Sequence, residues 1–252
     1  MKLNTEGLVL SDQKLAGEKH LLTILTRNNG ILNCFLRGGS NASKRFGAAV
    51  GLLCYSNFSL YEGAKSYTLD EAIPKMFFYD IMFDIRKLAL AQYFCDLAIQ
   101  VIPEGSGSPE YLSLMLNCLH LLSEGKRHEL VIKAVFELRM MGLSGFMPDI
   151  VACRECGEYE DDRMYFDLDA SCLWCSRCCR AENTAVLSKK SLNAVRTSLL
   201  AEPKKIFSFA LEKQDIYDFA DLAEKYTLKI ADKSFTSLDY FKKIRISESE
   251  LM

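Results

Sequence analysis

At 252 residues the chain is long enough for two compact units, and apolar and charged shares of 49% and 25% exclude wholesale disorder. The opening MKLNTEGLVL lacks the features of a secretory signal, and no run approaches the roughly 18 apolar residues of a membrane span, so a cytoplasmic protein is expected. Net charge is −2, but residues 1–78 hold nine Lys and Arg against six Asp and Glu, a net of +3 that leaves −5 for the remainder. A mildly basic front on an acidic body permits contact with nucleic acid at one end.

Five short strands are expected first: GLVLS (7–11), HLLTILT (20–26), ILNCFL (31–36), VGLLCYSNFSLY (50–61) and SYTLDEA (66–72). RNNG and EGAK between them are turn signals, because Asn and Gly take positive φ at low cost. In the fourth strand Val50, Leu52, Cys54, Phe58 and Leu60 share one parity and should face the core. Tyr55 and Tyr61 share the other, where they could stack on bases or simply cover the sheet. Five strands in so short a stretch suggest a small closed barrel such as the OB-fold.

After Pro74 the period changes. Residues 79–102 read as one helix buried over a wide arc, with Asp80, Asp84, Gln92, Asp96 and Gln100 as its polar positions. Helices at 109–125, 128–142, 188–200, 213–231 and 236–244 follow, with Gly125 and Gly142 as stops and Ser188 and Thr236 as N-caps. The fold class is therefore multi-domain α+β. An N-terminal five-stranded OB-fold barrel (1–78) precedes a helical domain (79–252) with a cysteine insertion at about 150–181.

Six of the ten cysteines lie between Cys153 and Cys179. Cys-x2-Cys lets one tight turn supply two thiolates to a tetrahedral metal, and Cys153/Cys156 forms one such knuckle. Two pairs compete for the second: Cys175/Cys178 leaves 18 intervening residues and Cys172/Cys175 leaves 15, both suited to zinc. CSRC mirrors CREC in carrying one basic residue, which favours Cys175/Cys178 and makes Cys172 and Cys179 spectators. Four thiolates would fill the shell, so one structural Zn2+ per chain is expected to hold an otherwise polar loop folded. A redox dithiol fits less well, since the flanks are acidic and lack a βαβ pattern. Cys34, Cys54, Cys95 and Cys118 sit in apolar stretches as small core residues.

No catalytic constellation is visible. His20, His120 and His128 lie far apart without metal-ligand spacing, and His120 is expected to be satisfied or half-buried in an apolar helix. The loop LRGGSNASKRFG (36–47) brackets glycine with Arg37, Lys44 and Arg45, which can approach a phosphate chain closely. It could equally be a solvated hairpin.

EGLVLSDQKLAGEKHLLTILTRNNGIL and LRGGSNASKRFGAAVGLLCYSNFSLYEG, followed by FELRMMGLSGFMPDIVACRECG and CLWCSRC, resemble the bacterial RecO family of recombination mediators. The resemblance spans roughly residues 5–180 and departs at Ser171-Cys172, where the family often has a glycine pair. It implies a non-enzymatic DNA-repair protein with an OB-fold, a helical domain and a four-cysteine zinc site. Such proteins bind single- and double-stranded DNA, anneal strands, engage the C-terminal tail of SSB and, with RecR, help load RecA onto SSB-coated DNA in the RecF pathway. A nucleoid-associated place in the cytoplasm goes with that role. Arg37, Lys44 and Arg45 match the family's basic loop, and Arg27 and Lys14 are weaker candidates. Lys126, Arg127, Lys133 and Arg139 are, by composition, candidate contacts for an acidic SSB tail. Two other readings stand beside this one: a zinc-stabilised protein-protein adaptor without direct nucleic-acid binding, and an RNA- or nucleotide-processing enzyme with an OB appendage.

Overall fold

The computed structural model describes residues 2–16, 20–36, 46–63, 66–103, 105 and 107–249. Strands β1 (Lys2–Lys14), β2 (His20–Thr26), β3 (Ile31–Leu36), β4 (Cys54–Glu62) and β5 (Tyr67–Phe77) close into a barrel in the order β1-β2-β3-β5-β4. The β3–β5 pairing is parallel and the others are antiparallel. Val9, Leu22, Ile24, Cys34, Leu36, Phe58, Leu60 and Leu69 fill its interior, and Phe46 and Val50 join the same cluster. This is the expected five-stranded barrel of the OB type.

The strands differ from expectation at their ends. β4 starts at Cys54 rather than at residue 50, because Gly47–Val50 form a 3₁₀ turn and Leu53 takes a left-handed φ of 61°. β5 runs on through Pro74, which is tolerated at a bulge. There Tyr55 pairs with Met76 and Ser56 with Pro74, leaving Lys75 as the extra residue. A second shift makes Asp70 the extra residue between Leu69 and Glu71, and it meets Lys2 at 3.0 Å.

The expected long helix is two: α1 (Tyr79–Met82) and α2 (Ile85–Val101). Asp84 breaks it by capping, since its Oδ1 accepts from the N–H groups of Arg86 (2.9 Å) and Lys87 (3.1 Å). α3 (Pro109–Glu124) follows, with its connection pressed against the barrel. A Cβ on Gly107 would lie 1.7 Å from the Asn28 carbonyl oxygen, so only glycine fits. Strand gives way to helix between Phe77 and Tyr79, yet compactness divides the chain elsewhere: one unit is Met1–Glu124 with Phe235–Met252, the other Gly125–Ser234. The first is completed by the last helix, α7 (Thr236–Ser249). Phe235 meets Tyr93 edge-on at 5.4 Å, and Ser237 Oγ donates to Asp96 Oδ2 at 2.6 Å. Thr236 is the first helical residue and not the expected cap.

The second unit contains α4 (Glu129–Leu143), α5 (Lys189–Leu200) and α6 (Lys213–Ala231). α4 is terminated by Gly145 (φ 92°) rather than Gly142, which stays helical and packs under Leu199 and Met147. Ser188 caps α5 as expected, accepting from Ser191 N–H at 3.1 Å. The cysteine segment, expected as a loop in an all-helical body, is a small sheet. Strands β6 (Asp149–Cys153), β7 (Met164–Asp167), β8 (Cys172–Cys175) and β9 (Thr184–Leu187) are ordered β6-β8-β7-β9.

Candidate metal centre and nucleic-acid surface

Strands β6 and β8 lie parallel and side by side, so the turns that leave their ends face each other. Each turn begins on a cysteine carbonyl. Gly157 N–H donates to Cys153 O at 2.9 Å, and Cys178 and Cys179 N–H donate to Cys175 O at 3.2 and 3.0 Å. The result gathers the Sγ atoms of Cys153, Cys156, Cys175 and Cys178 within 4.8 Å of one another. Zn–S bonds of about 2.3 Å in a tetrahedron put sulfurs about 3.8 Å apart. The 3.6 Å between Cys156 and Cys175 suits that geometry.

The environment favours thiolate at one end of the set. Burial raises the Cys153 thiol, but hydrogen bonds from the backbone at Cys156, Cys175 and Glu155 outweigh it and bring the group to about 6. Cys178 is pushed up to about 12, chiefly because it shares a proton with Cys175 and Cys156. A cation among the four sulfurs would let all of them ionise together. The four cysteines could therefore hold a metal ion. Cys172 stands apart on β8, buried, with its Sγ 3.9 Å from Arg154 Nη1. Among the described residues the cluster does not include Cys179 either.

Polar bonds brace the two turns outside the sulfurs. Arg177 Nη2 donates to Glu158 Oε2 at 3.1 Å, and Ser176 Oγ donates to Asp161 Oδ2 at 2.6 Å. Beneath them the buried Arg196 of α5 donates to the carbonyls of Ile150 (2.9 Å), Val151 (2.7 Å) and Tyr159 (2.6 Å). Its guanidinium lies 4.0 Å from the Tyr159 ring centroid. One side chain thus fixes β6 and the strand-to-strand connection to the helix, a role the sequence did not advertise.

On the barrel, Arg37, Lys44 and Arg45 lie outside the described residues. Lys14 is exposed at the end of β1. Arg27 is not free: its Nε donates to Glu6 Oε2 at 2.9 Å, and its Nη2 lies 3.4 Å from Tyr55 Oη. Glu6 also accepts from Tyr55 Oη and Lys75 Nζ, each at 2.6 Å. Hydrogen bonds from Lys75, Tyr55 and Arg27 hold its carboxyl at about 2. Tyr55, a candidate stacking residue, is consequently buried under Lys75, whose Nζ is 5.0 Å above the ring. Tyr61 keeps 46% of its surface exposed, beside Lys2.

Residues 1–77 match the family model described as Recombination protein O N terminal, and residues 82–250 match Recombination protein O C terminal. The chain belongs to the RecO family. The "DNA repair protein RecO" of Acetivibrio thermocellus is 29% identical over 241 residues, covering 95% of this chain and 96% of that protein. The protein of the same name from Alkaliphilus metalliredigens is 30% identical over 178 residues, 71% of this chain and 72% of its own. That from Desulforamulus reducens is 22% identical over 241 residues, 95% and 93%.

The N-terminal RecO model thus covers the barrel and the C-terminal one covers the helices and the cysteine centre. In the latter, the cations expected at an acidic-tail groove are scattered in role. Lys126 is exposed, and Arg127 sits 5.3 Å from the Phe207 ring centroid. Arg139 donates to Leu199 O at 2.5 Å. Lys133 is no rim residue: it is buried and bound to Glu137 and Glu224, each at 2.9 Å. His20 pairs with Asp12 at 2.9 Å and His128 caps α4. His120 is exposed, with its Nε2 3.8 Å from Glu124 Oε1. Among the described residues no helix is long and apolar enough to cross a membrane.

Proposed function

We propose that this chain is a DNA-binding recombination mediator of the RecF pathway, acting in the cytoplasm without catalysing a reaction. Its barrel, residues 1–78, binds single- and double-stranded DNA, and the chain anneals complementary strands. Its remaining residues engage the SSB C-terminal tail and RecR, and through them help load RecA onto SSB-coated single strands. The observation that carries this reading is the match of both halves to RecO family models, barrel and helical body alike. The DNA contacts we assign are Arg37, Lys44 and Arg45, with Lys14 and Arg27 as weaker candidates. Lys126, Arg127 and Arg139 remain candidates for the SSB tail, and Lys133 is withdrawn because it is buried.

The metal we assign to Cys153, Cys156, Cys175 and Cys178 is one Zn2+. Four thiolates leave no position open for water, so the ion would brace the fold rather than activate a substrate. The DNA reading is tested by titrating fluorescent single-stranded DNA at two salt concentrations, with and without an SSB C-terminal peptide. Binding that weakens steeply with salt is expected, since neutralised phosphates release counterions. No binding, with the peptide still captured, would leave the adaptor reading instead.

A further inference from the structure

A cleft of about 530 Å³ opens on the outer wall of the barrel, where β1, β4 and β5 meet the turn after β2. Leu3 and Ile73 belong to its lining; Leu3 packs toward the barrel's interior cluster, whereas Ile73 is 52% exposed. Asn4, Asn28, Asn29 and Asn57 also line it. Ser59 Oγ donates to Asn4 Oδ1 at 2.9 Å and fixes that amide. Asn28 and Asn57 are exposed, and among the described residues no hydrogen bond occupies their side chains.

The charge of the lining decides what such a cleft can take. Arg27 and Lys75 share the Glu6 carboxylate, at 2.8 and 2.6 Å, and with Glu71 in the lining the charges balance. Without net positive charge, the lining gives a phosphodiester no particular hold. A neutral planar ring suits the site better: the exposed Ile73 side chain meets one face, and carboxamides, each both donor and acceptor, meet its edge.

Resting on the DNA-binding reading above, we propose that this cleft receives one unpaired nucleobase of a single strand, held by Asn28 and Asn57. A base inside a duplex already spends its Watson–Crick edge on its partner and is stacked on both faces. The cleft therefore favours single strands.

The test uses the full chain and three fluorescein-labelled probes of equal length: oligothymidylate, an abasic strand and a duplex. In Asn57→Ala and Asn28→Ala, affinity for oligothymidylate should fall roughly tenfold, while the abasic strand and duplex stay within about twofold. Both positions are exposed, so melting temperatures should match the parent. Unchanged oligothymidylate affinity in the folded variants overturns the proposal, as does an equal loss on all three probes. Failure of the parent chain to bind any probe is a separate result that removes the DNA-binding reading and the cleft with it.

Discussion

Arg27 and Lys75 share a single acceptor, the Glu6 carboxylate, through contacts of 2.9 and 2.6 Å that tie β1 to the turn after β2 and to the bulge in β5. Two cations committed to one anion present less positive charge than their number implies. Glu6→Gln should release both and raise affinity for single-stranded DNA roughly threefold at low salt, with a steeper salt dependence. Anisotropy titrations would read this directly, and a loss of affinity would show that Glu6 positions the cations rather than masks them.

The same carboxylate makes barrel stability depend on acid. Its pKa in the folded chain, about 2, lies below the ordinary 4.5, so its contribution is complete above pH 4.5 and fades as pH falls toward 2. The side chain keeps 31% of its surface exposed, which screens the pairs and limits the effect to about 1 kcal/mol. Urea unfolding at pH 6 and pH 3 should show a loss in the parent that exceeds the loss in Glu6→Gln by up to about 1 kcal/mol, since Asp161 and Asp167, also held low, titrate in both.

At the cysteine centre, elemental analysis should find one zinc per chain. Cys156→Ser should lose the ion and at least about 3 kcal/mol of stability, because metal binding here is folding free energy. Cys172→Ser should keep it, since Cys172 Sγ lies beside Arg154 and outside the cluster. Retention in the first variant with loss in the second would reverse the ligand assignment.

Lys133→Met should destabilise the chain by about 3–5 kcal/mol by leaving Glu137 and Glu224 without their buried counter-ion. Adding Glu137→Gln should restore part of that loss. Chemical denaturation of the two variants checks the pair; a neutral Lys133→Met would mean the cation is dispensable.

Gly107→Ala should cost about 1–3 kcal/mol, since the new methyl would sit 1.7 Å from the Asn28 carbonyl oxygen and the connection must shift. A thermal melt equal to the parent's would show that this segment yields freely.

Legibility from sequence followed how local each cause is. β2 and β3 matched to the residue, because alternation and the RNNG turn are both local signals. The start of β4 was misread since Val50 and Leu52 keep a strand's parity while Leu53 turns the backbone. Asp84 looked like one more polar-face residue, although its capping bonds end one helix and begin another. The strands MYFD and CLWC are four residues each, too short for a period to declare itself. The paired Cys-x2-Cys spacing left two choices for the second knuckle, and the likeness of CSRC to CREC pointed to the four sulfurs that lie together. Lysine on a helix reads as surface; Lys133 is interior in the company of Glu137, one turn on, and Glu224, far along the sequence. Lys75 was invisible for a similar reason, since a bulge delivers it to Glu6.

Because Phe235–Ser249 belongs with the barrel's unit while 125–234 forms its own, biosynthesis meets a timing problem. The emerging polypeptide can finish the middle portion first, whereas α2 must wait, with Tyr93 uncovered, until the closing segment has been translated. Truncation after Ser234 should then yield a species that binds hydrophobic dyes and is trapped by chaperones, even though the cysteine centre is intact.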